Sequence, residues 1–428
     1  KNRPLPVFVF CFLFLFLFSF FFLFLTFLFF FLSFFSLLFI SFGFCVSFSF
    51  FLSFMNWLCL SAFSGISSSF MSNNASKTEL LRISKEACDE LAVFVRELYD
   101  CLSGDAAKLK EDKSVFTIAD GIVQETLKSC LFAGNKFENI VGEEDNSNIN
   151  LKVKPYTVDD LVVADKFHPA IDRVVERLTR LGDTIDSEAY RSLTIFIDPI
   201  DGTREFYTKL GEQCSICIGF AEEGVPVAGL VYRPIPSPAT WAAGCKAEEH
   251  TSGNLEFQEP PHPNGLLTTN GSISKFTEVL MEELKYERVR SGGAGNKMMM
   301  VLEGKGTCYI QDRGVSRWDT CAAQAILEAH GGALVKLAPF VDSKELQSYT
   351  YRKTEENLDF VAGQSNLTPY NAKIKGFEKG TKADSVDQVQ PYSNLNGLFA
   401  VSKYGLEHMN VYYEAIQKAK AAHPPAYD

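Results

Sequence analysis

The sequence reads as an α+β protein, and three stretches carry that reading. Over residues 77–100 apolar side chains recur at helical spacing (Leu80, Leu81, Ile83, Leu91, Phe94, Val95, Leu98), the mark of an amphipathic helix. Residues 193–197 form a short, β-branched apolar run that reads as a buried strand. Residues 214–220 and 227–232 read as two more strands, joined by Glu222-Glu223-Gly224, a hairpin signal.

The 428 residues are enough for two domains and a sizeable core, with about the first seventy left out of that estimate. A net charge of -11 and a pI near 5.2 exclude a general nucleic-acid binder, because nothing would neutralise a phosphate backbone nonspecifically. A small anionic substrate is compatible if cations line its pocket. The eleven Cys are scattered and odd in number, which suits reduced thiols better than a disulfide framework. Cys214 and Cys217 form a Cys-x-x-Cys pair inside an apolar run without a second pair spaced for zinc, so they read as strand residues. The six His stand singly and outside any motif, which disfavours a His-based nucleophile system.

Taken in order, residues 7 to about 63 are almost entirely Phe, Leu and Ser. A bilayer span needs only ~20 apolar residues, so this tract is more than twice too long for one simple helix, and it lacks a signal-peptide cleavage site. The expectation is that residues 1–70 stand outside the fold as an artefact of the translated region, with Met71 the start of a cytoplasmic protein. The alternative is a membrane anchor through residues 7–63. After the helix at 77–100, a polar link over 104–113 leads into 114–120 and a second helix through Cys130. That reading puts Asp120 near the N-terminus of the second helix, where an acid complements the helix dipole. Ile140-Val141-Gly142 is a short strand running into Glu143-Glu144-Asp145, a solvated acidic loop or a strand end that turns one carboxylate inward. Residues 146–190 form a charged insertion with a helical pattern around 171–178 and no catalytic constellation.

The strand at 193–197 ends in Asp198-Pro199-Ile200-Asp201-Gly202-Thr203, and Pro199 is expected to terminate it by removing a backbone donor. Two Asp three residues apart, locked by Pro199 and released by Gly202, can converge on one point and hold a hard cation. Thr203 then opens a first helical turn whose free N–H groups favour an anion such as phosphate. The same string also suits a solvent-exposed turn. Residues 259–265, rich in Pro, are the expected connection between an N-terminal lobe (71–262) and a C-terminal lobe (263–428). In the second lobe Ser291-Gly292-Gly293-Ala294-Gly295-Asn296-Lys297 is a Gly-rich loop that lets backbone N–H groups approach a ligand, with Lys297 adding charge. Residues 317–332 carry a small-residue helical face (Ala322, Ala325, Ile326, Ala329), stopped by Gly331-Gly332. Asp319 sits at the start of that helix, in a capping position.

Glu143-Glu144 after Gly142, the DPIDGT run at 198–203 and the WDTCAAQAILEAHGG run at 318–332 together resemble the inositol monophosphatase superfamily of magnesium-dependent, lithium-sensitive phosphatases. The resemblance covers roughly residues 77–413. It implies a layered αβαβα sandwich of the sugar-phosphatase type with its site between the lobes, and two to three Mg²⁺ ions. One ion would be held by Glu143, Asp198 and the carbonyl of Ile200, another by Asp198, Asp201 and Asp319, with Glu144 behind them. Asp120 and Thr203 match the pair that orients attacking water in the related nucleotidases. Gly202 and Thr203 would meet the phosphate, and Ser291, Gly293, Lys297 and Arg317 the rest of a small phosphorylated substrate. The runs at 141–145, 201–206, 224–234 and 291–297 are most similar to 3'(2'),5'-bisphosphate nucleotidases, which act on adenosine 3',5'-bisphosphate. Inositol polyphosphate 1-phosphatase and inositol monophosphatase are the alternatives. A non-catalytic binding or membrane-tethered module is the alternative of another class, and no nucleic-acid polymer is implied. One departure stands out: where the nucleotidases carry Arg-Ser-His-Ser, this chain has Asn270-Gly271-Ser272-Ile273. Because Asn conserves side-chain volume, the expectation for Asp201→Asn is lost activity in an intact fold.

Overall fold

The helical spacing over residues 77–100 is realised as α1 (Lys77–Asp100), which buries Leu80, Leu91, Phe94 and Leu98 on one face. The computed structural model describes residues 76–103, 109–133, 137–186, 188–257, 264–312, 315–352, 392–394 and 396–425. The Phe/Leu-rich tract and residues 258–263 of the Pro-rich connection lie outside them, as do residues 104–108 of the polar link. Among the described residues no helix is long and apolar enough to cross a membrane.

α2 (Leu109–Thr126) continues into a π-helical turn at Leu127–Leu131. It begins earlier than expected, because Leu109, Lys110, Glu111 and Lys113 are good helix formers, not linker residues. Asp120 therefore stands in the second half of the helix, and the dipole reading of that residue is corrected. β1 (Asn139–Gly142) follows. The charged insertion folds into a small antiparallel sheet of β2 (Ile149–Asn150), β3 (Thr157–Val158) and β4 (Leu161–Val162), then α3 (His168–Gly182).

β5 (Leu193–Asp201) runs parallel to β1 and antiparallel to β6 (Ser215–Glu222). It does not stop at Pro199. Its register on β6 passes from Asp198 opposite Cys217 to Asp201 opposite Ser215, three residues against two, and this bulge accommodates the missing N–H of Pro199. α4 (Thr203–Tyr207) follows Gly202, whose φ of 101° a side chain would resist. β6 turns through Glu223-Gly224, both at positive φ, into β7 (Val225–Arg233). β8 (Thr240–Cys245) and β9 (His250–Gly253) complete a six-stranded sheet ordered β1-β5-β6-β7-β8-β9.

The chain then builds β10 (Gly265–Thr268), α5 (Lys275–Leu284), β11 (Glu287–Arg290), α6 (Ala294–Leu302), β12 (Cys308–Gln311) and β13 (Val315–Ser316). α7 (Arg317–Ala329), β14 (Ala333–Lys336), α8 (Leu337–Ser343), β15 (Ser393–Asn394), β16 (Leu398–Val401), α9 (Lys403–Leu406) and α10 (Met409–Ala422) follow. The second sheet has the order β11-β10-β12-β16-β14.

Alternation along the strands sorts the side chains into layers. Ile195 and Ile197 of β5 pack with α1, α2 and α3, whereas Phe196 and Cys217 pack with α6 and α7. Leu267, Tyr309 and Ala400 of the second sheet close the same middle core, and Leu266, Cys308 and Phe399 face α5, α8 and α10. The architecture is thus a five-layer αβαβα sandwich. Its middle helix comes unusually close to the first sheet. Gly219, Gly229 and Gly244 lie opposite one another on β6, β7 and β8, and a Cβ on Gly229 would sit 2.2 Å from the Ala322 carbonyl oxygen of α7. This row of glycines receives the small-residue face of α7.

Candidate metal and phosphate site

The parallel pairing of β1 with β5 sets Gly142 opposite Ile197, so Glu143 leaves its strand beside Asp198. Asp198 follows Phe196 on the face toward the middle helices, and α7, seated in the glycine row, brings Asp319 there in its first turn. One carboxylate oxygen from each of Glu143, Asp198 and Asp319 lies within 4.8 Å of the others. Asp198 is fully buried, and neither of its oxygens has a hydrogen-bond partner. Burial, then the charges of Glu143, Asp201, Asp319 and Asp120, push its carboxyl well above the usual range.

An unpartnered buried carboxylate among like charges is costly unless a cation joins it. Oxygen-only donors suit a hard divalent ion. The residues present therefore fit a metal of that class. Asp319 also caps its own helix, accepting from the backbone N–H of Ser316, so the capping role and membership of the acidic cluster coexist.

Asp201 is arranged differently from the sequence expectation. The amides of Ala294 and Gly295, at the start of α6, donate to its Oδ1 and Oδ2 at 2.8 and 2.7 Å, and Ser215 Oγ lies 3.3 Å from Oδ2. It thus stitches the end of β5 to α6, and is not one of the three acids gathered within 4.8 Å. Burial and the Asp319 charge push its carboxyl up to about 6. Gly293 at the helix entrance has a φ of 66°, and a Cβ there would lie 2.9 Å from Asp201 Oδ2. Ser291 is buried and its Oγ accepts from Asn296 Nδ2.

Asp120 is buried on α2, with its pKa raised by burial and then by Glu143 and Glu144, which places it at the edge of the acidic cluster. Its Oδ1 has no hydrogen-bond partner. Four residues on, Gln124 accepts from the Glu144 amide at 2.8 Å and donates to Asp145 at 3.1 Å, fixing the loop that carries Glu143. Glu144 itself accepts from Ser147 Oγ at 2.7 Å. Ile200 is buried, and Thr203 is exposed at the first position of α4. Gly202 lends its carbonyl to the Phe206 amide and to Cys214 Sγ.

The two cations expected at the substrate are engaged inside the protein. Lys297 is buried, donates to the Gly293 carbonyl at 2.6 Å and lies 4.9 Å from the Tyr309 ring centroid. Burial lowers its pKa against the opposing charges of Asp201, Glu205 and Asp319, so it balances the acids from within. Arg317 is fully buried and donates to the carbonyls of Thr350 and Ser393.

Sequence reading missed Gln124, Arg233 and Glu303. Gln124 was detectable from its i, i+4 relation to Asp120. Arg233 at the end of β7 donates to Asn296 Oδ1 at 2.7 Å and to both Glu303 oxygens at 2.9 and 3.0 Å, clamping α6 to the first sheet.

Residues 76–372 match the model of the inositol monophosphatase family. The human 3'(2'),5'-bisphosphate nucleotidase 1 is 31% identical over 199 residues, 42% of this chain and 64% of that protein. A putative inositol monophosphatase 3 of Drosophila melanogaster is 30% identical over 152 residues, 34% of this chain and 42% of that one. The chain thus spans less than two thirds of either relative. Among solved structures, a staphylococcal IMPase-II aligns with 80% of this chain and 99% of its own, at 13% identity and a TM-score of 0.45.

Proposed function

We propose, from the premise that this chain belongs to the inositol monophosphatase family, that it is a metal-dependent phosphomonoesterase, and specifically a 3'(2'),5'-bisphosphate nucleotidase. Its reaction would convert adenosine 3',5'-bisphosphate to AMP and phosphate. The observation that carries the reading is the convergence of Glu143, Asp198 and Asp319, with both Asp198 oxygens free of hydrogen bonds.

Those three acids would hold the cation, for which Mg²⁺ is the candidate because every donor is a hard oxygen. The ion would lower the pKa of a coordinated water and offset charge gathering on the ester. The chain's own residues do the rest. Asp120, buried at the edge of the cluster with its Oδ1 unpartnered, suits orienting the attacking water. The Thr203 hydroxyl, exposed at the start of α4, suits orienting that water beside Gly202. Asp201 keeps the α6 amides beside the cluster, and Lys297 offsets part of its charge. Glu144, tied to Gln124 and Ser147, holds the loop behind Glu143. Direct transfer to water requires no covalent phosphoenzyme.

The nucleotidase choice is supported by the 31% identity to the human enzyme and by the SGGAGNK run at 291–297. An inositol phosphatase is the second reading, favoured by Asn270-Gly271-Ser272-Ile273 standing where the nucleotidases carry Arg-Ser-His-Ser. The full chain is to be assayed with Mg²⁺ against adenosine 3',5'-bisphosphate, inositol 1,4-bisphosphate and inositol 1-phosphate. Preferential release of phosphate from the nucleotide is expected. Rapid turnover of an inositol phosphate beside negligible turnover of the nucleotide would replace the first reading by the second, and no turnover of any ester with Mg²⁺ would remove both.

A further inference from the structure

We infer that Arg204 and Arg290, flanking a turn at residues 269–271 that Arg288 holds, form an anion subsite for the second phosphate of a bisphosphorylated small-molecule substrate. The inference deepens the phosphomonoesterase reading and rests on it for the position of the first phosphate.

The turn lies one step from the acids. Asp201 Oδ2 sits against Gly293, and the Glu205 carboxyl sits against the neighbouring Gly292. Glu205 Oε1 accepts from Asn270 Nδ2 at 2.8 Å, and the same nitrogen reaches Gln213 Oε1 at 2.8 Å. Gln213 Oε1 in turn accepts from the Gly292 amide at 2.7 Å. Asn270, in place of a charged residue, therefore acts as a bracket that fastens the turn to the mouth of the site.

Three arginines surround this bracket. Arg288 donates from Nε to Thr268 Oγ1 at 2.8 Å and from Nη2 to the carbonyls of Thr269 and Gly271. Arg290 lies two residues on along β11, so its side chain leaves the same face of the strand. Its charge, after burial, is what lowers the Arg288 pKa. From the other side, Arg204 Nη1 comes within 3.8 Å of where a Gly271 Cβ would stand. Arg204 and Arg290 are both exposed, and among the described residues neither guanidinium has a hydrogen-bond or ion-pair partner.

Among the described residues, three other cations of the site and its supporting helix are already engaged. Lys297 bonds its own helix, Arg317 bonds two carbonyls, and Arg233 is paired with Glu303. An anion beyond the scissile phosphate would thus meet Arg204 and Arg290. Two exposed guanidinium forks offer a dianionic group more than one charge-assisted bond each. A monophosphate has nothing to place there.

The test compares wild-type full chain with Arg204→Ala, Arg290→Ala and the double variant, with Mg²⁺. The readout is the ratio of kcat/KM for adenosine 3',5'-bisphosphate to that for adenosine 3'-monophosphate, with inositol 1,4-bisphosphate and inositol 1-phosphate as a second pair. Removing charged hydrogen bonds of this kind should reduce the ratio about 10- to 100-fold in the double variant, mainly through KM. Arg204→Lys, which keeps charge but not the fork, should recover part of it. An unchanged ratio for both pairs overturns the subsite while leaving the phosphatase reading in place. Should the wild type hydrolyse no ester, calorimetric binding of adenosine 3',5'-bisphosphate in the presence of Ca²⁺ decides separately. Binding that weakens in the double variant keeps the subsite though the phosphatase reading has failed. Equal binding, or none, ends it.

Discussion

Replacing Arg233 by Met removes one partner of an ion pair whose side chains are only 6% and 4% exposed. The variant loses hydrogen bonds of 2.7 Å to Asn296 Oδ1 and of 2.9 and 3.0 Å to the two Glu303 oxygens. Glu303 keeps Lys305, 3.1 Å away, but that lysine is half exposed and compensates weakly. Breaking a buried pair from one side costs about 3–5 kcal/mol. At roughly 2 °C per kcal/mol for a chain of this size, the midpoint should fall by about 6–10 °C. Thermal and urea denaturation of the single variants and of Arg233→Met/Glu303→Leu measure it. The double variant should recover most of the loss, because it leaves no unpaired buried charge. A single-variant loss below about 1 kcal/mol, or a double variant no better than the single, would refute the clamp. The consequence reaches the site, since α6 carries both the amides that hold Asp201 and the Lys297 charge.

Much of this organisation was legible because it depends on local pattern. The spacing over residues 77–100 reports a helix buried on one face, the apolar runs at 193–197 and 214–220 report strands buried on both, and burial decides those elements. The gathering of Glu143, Asp198 and Asp319 was legible for another reason: each stands in a separate motif, and the three motifs together carry the family resemblance that implies a shared metal site. Long-range register was less visible. That Gly219, Gly229 and Gly244 align into a groove for α7 follows from pairing across three strands, which no single strand records. Pro199 looked like a strand end because a proline donates no hydrogen bond, and only the partner strand reveals the bulge that absorbs it. Lys297 and Arg317 looked like substrate cations because charge suggests solvent. Arg317 engages the carbonyls of Thr350 and Ser393, far away in sequence, and Lys297 is turned back onto the Gly293 carbonyl of its own helix.

The remaining predictions concern the acids and the helix that meets them. Asp198→Asn should abolish Mg²⁺-dependent turnover yet raise the midpoint of the metal-free chain, by relieving a buried, unpartnered charge; a lower midpoint without metal would count against that. Asp201 has a folded pKa of about 6, above the ~3.9 of an unfolded Asp, so the folded state binds more protons between those values. Stability of the metal-free chain should therefore decline as pH rises from about 4 to 6, and Mg²⁺ should flatten the slope; a rising stability over that window would contradict the assignment. Gly229→Ala sets a Cβ 2.2 Å from a backbone oxygen that cannot swing away, so about 1–3 kcal/mol should be lost, with activity falling as α7 and Asp319 are pushed off the sheet. Unfolding curves identical to wild type would show that the glycine row is not needed. Asp201→Asn is the case in which structure changes the expectation. Both carboxylate oxygens accept backbone amides, from Ala294 and Gly295, and an amide side chain offers one acceptor and one donor. Whichever way it turns, an NH₂ group confronts an N–H and one buried amide loses its partner, at a cost of about 1–3 kcal/mol. The variant should therefore lose stability as well as turnover, and α6 should loosen first, as amide exchange at Ala294 and Gly295 would reveal. Lost turnover with wild-type stability and exchange would mean that Asp201 acts as a ligand alone, and the strand-to-helix stitch proposed for it would have to be abandoned.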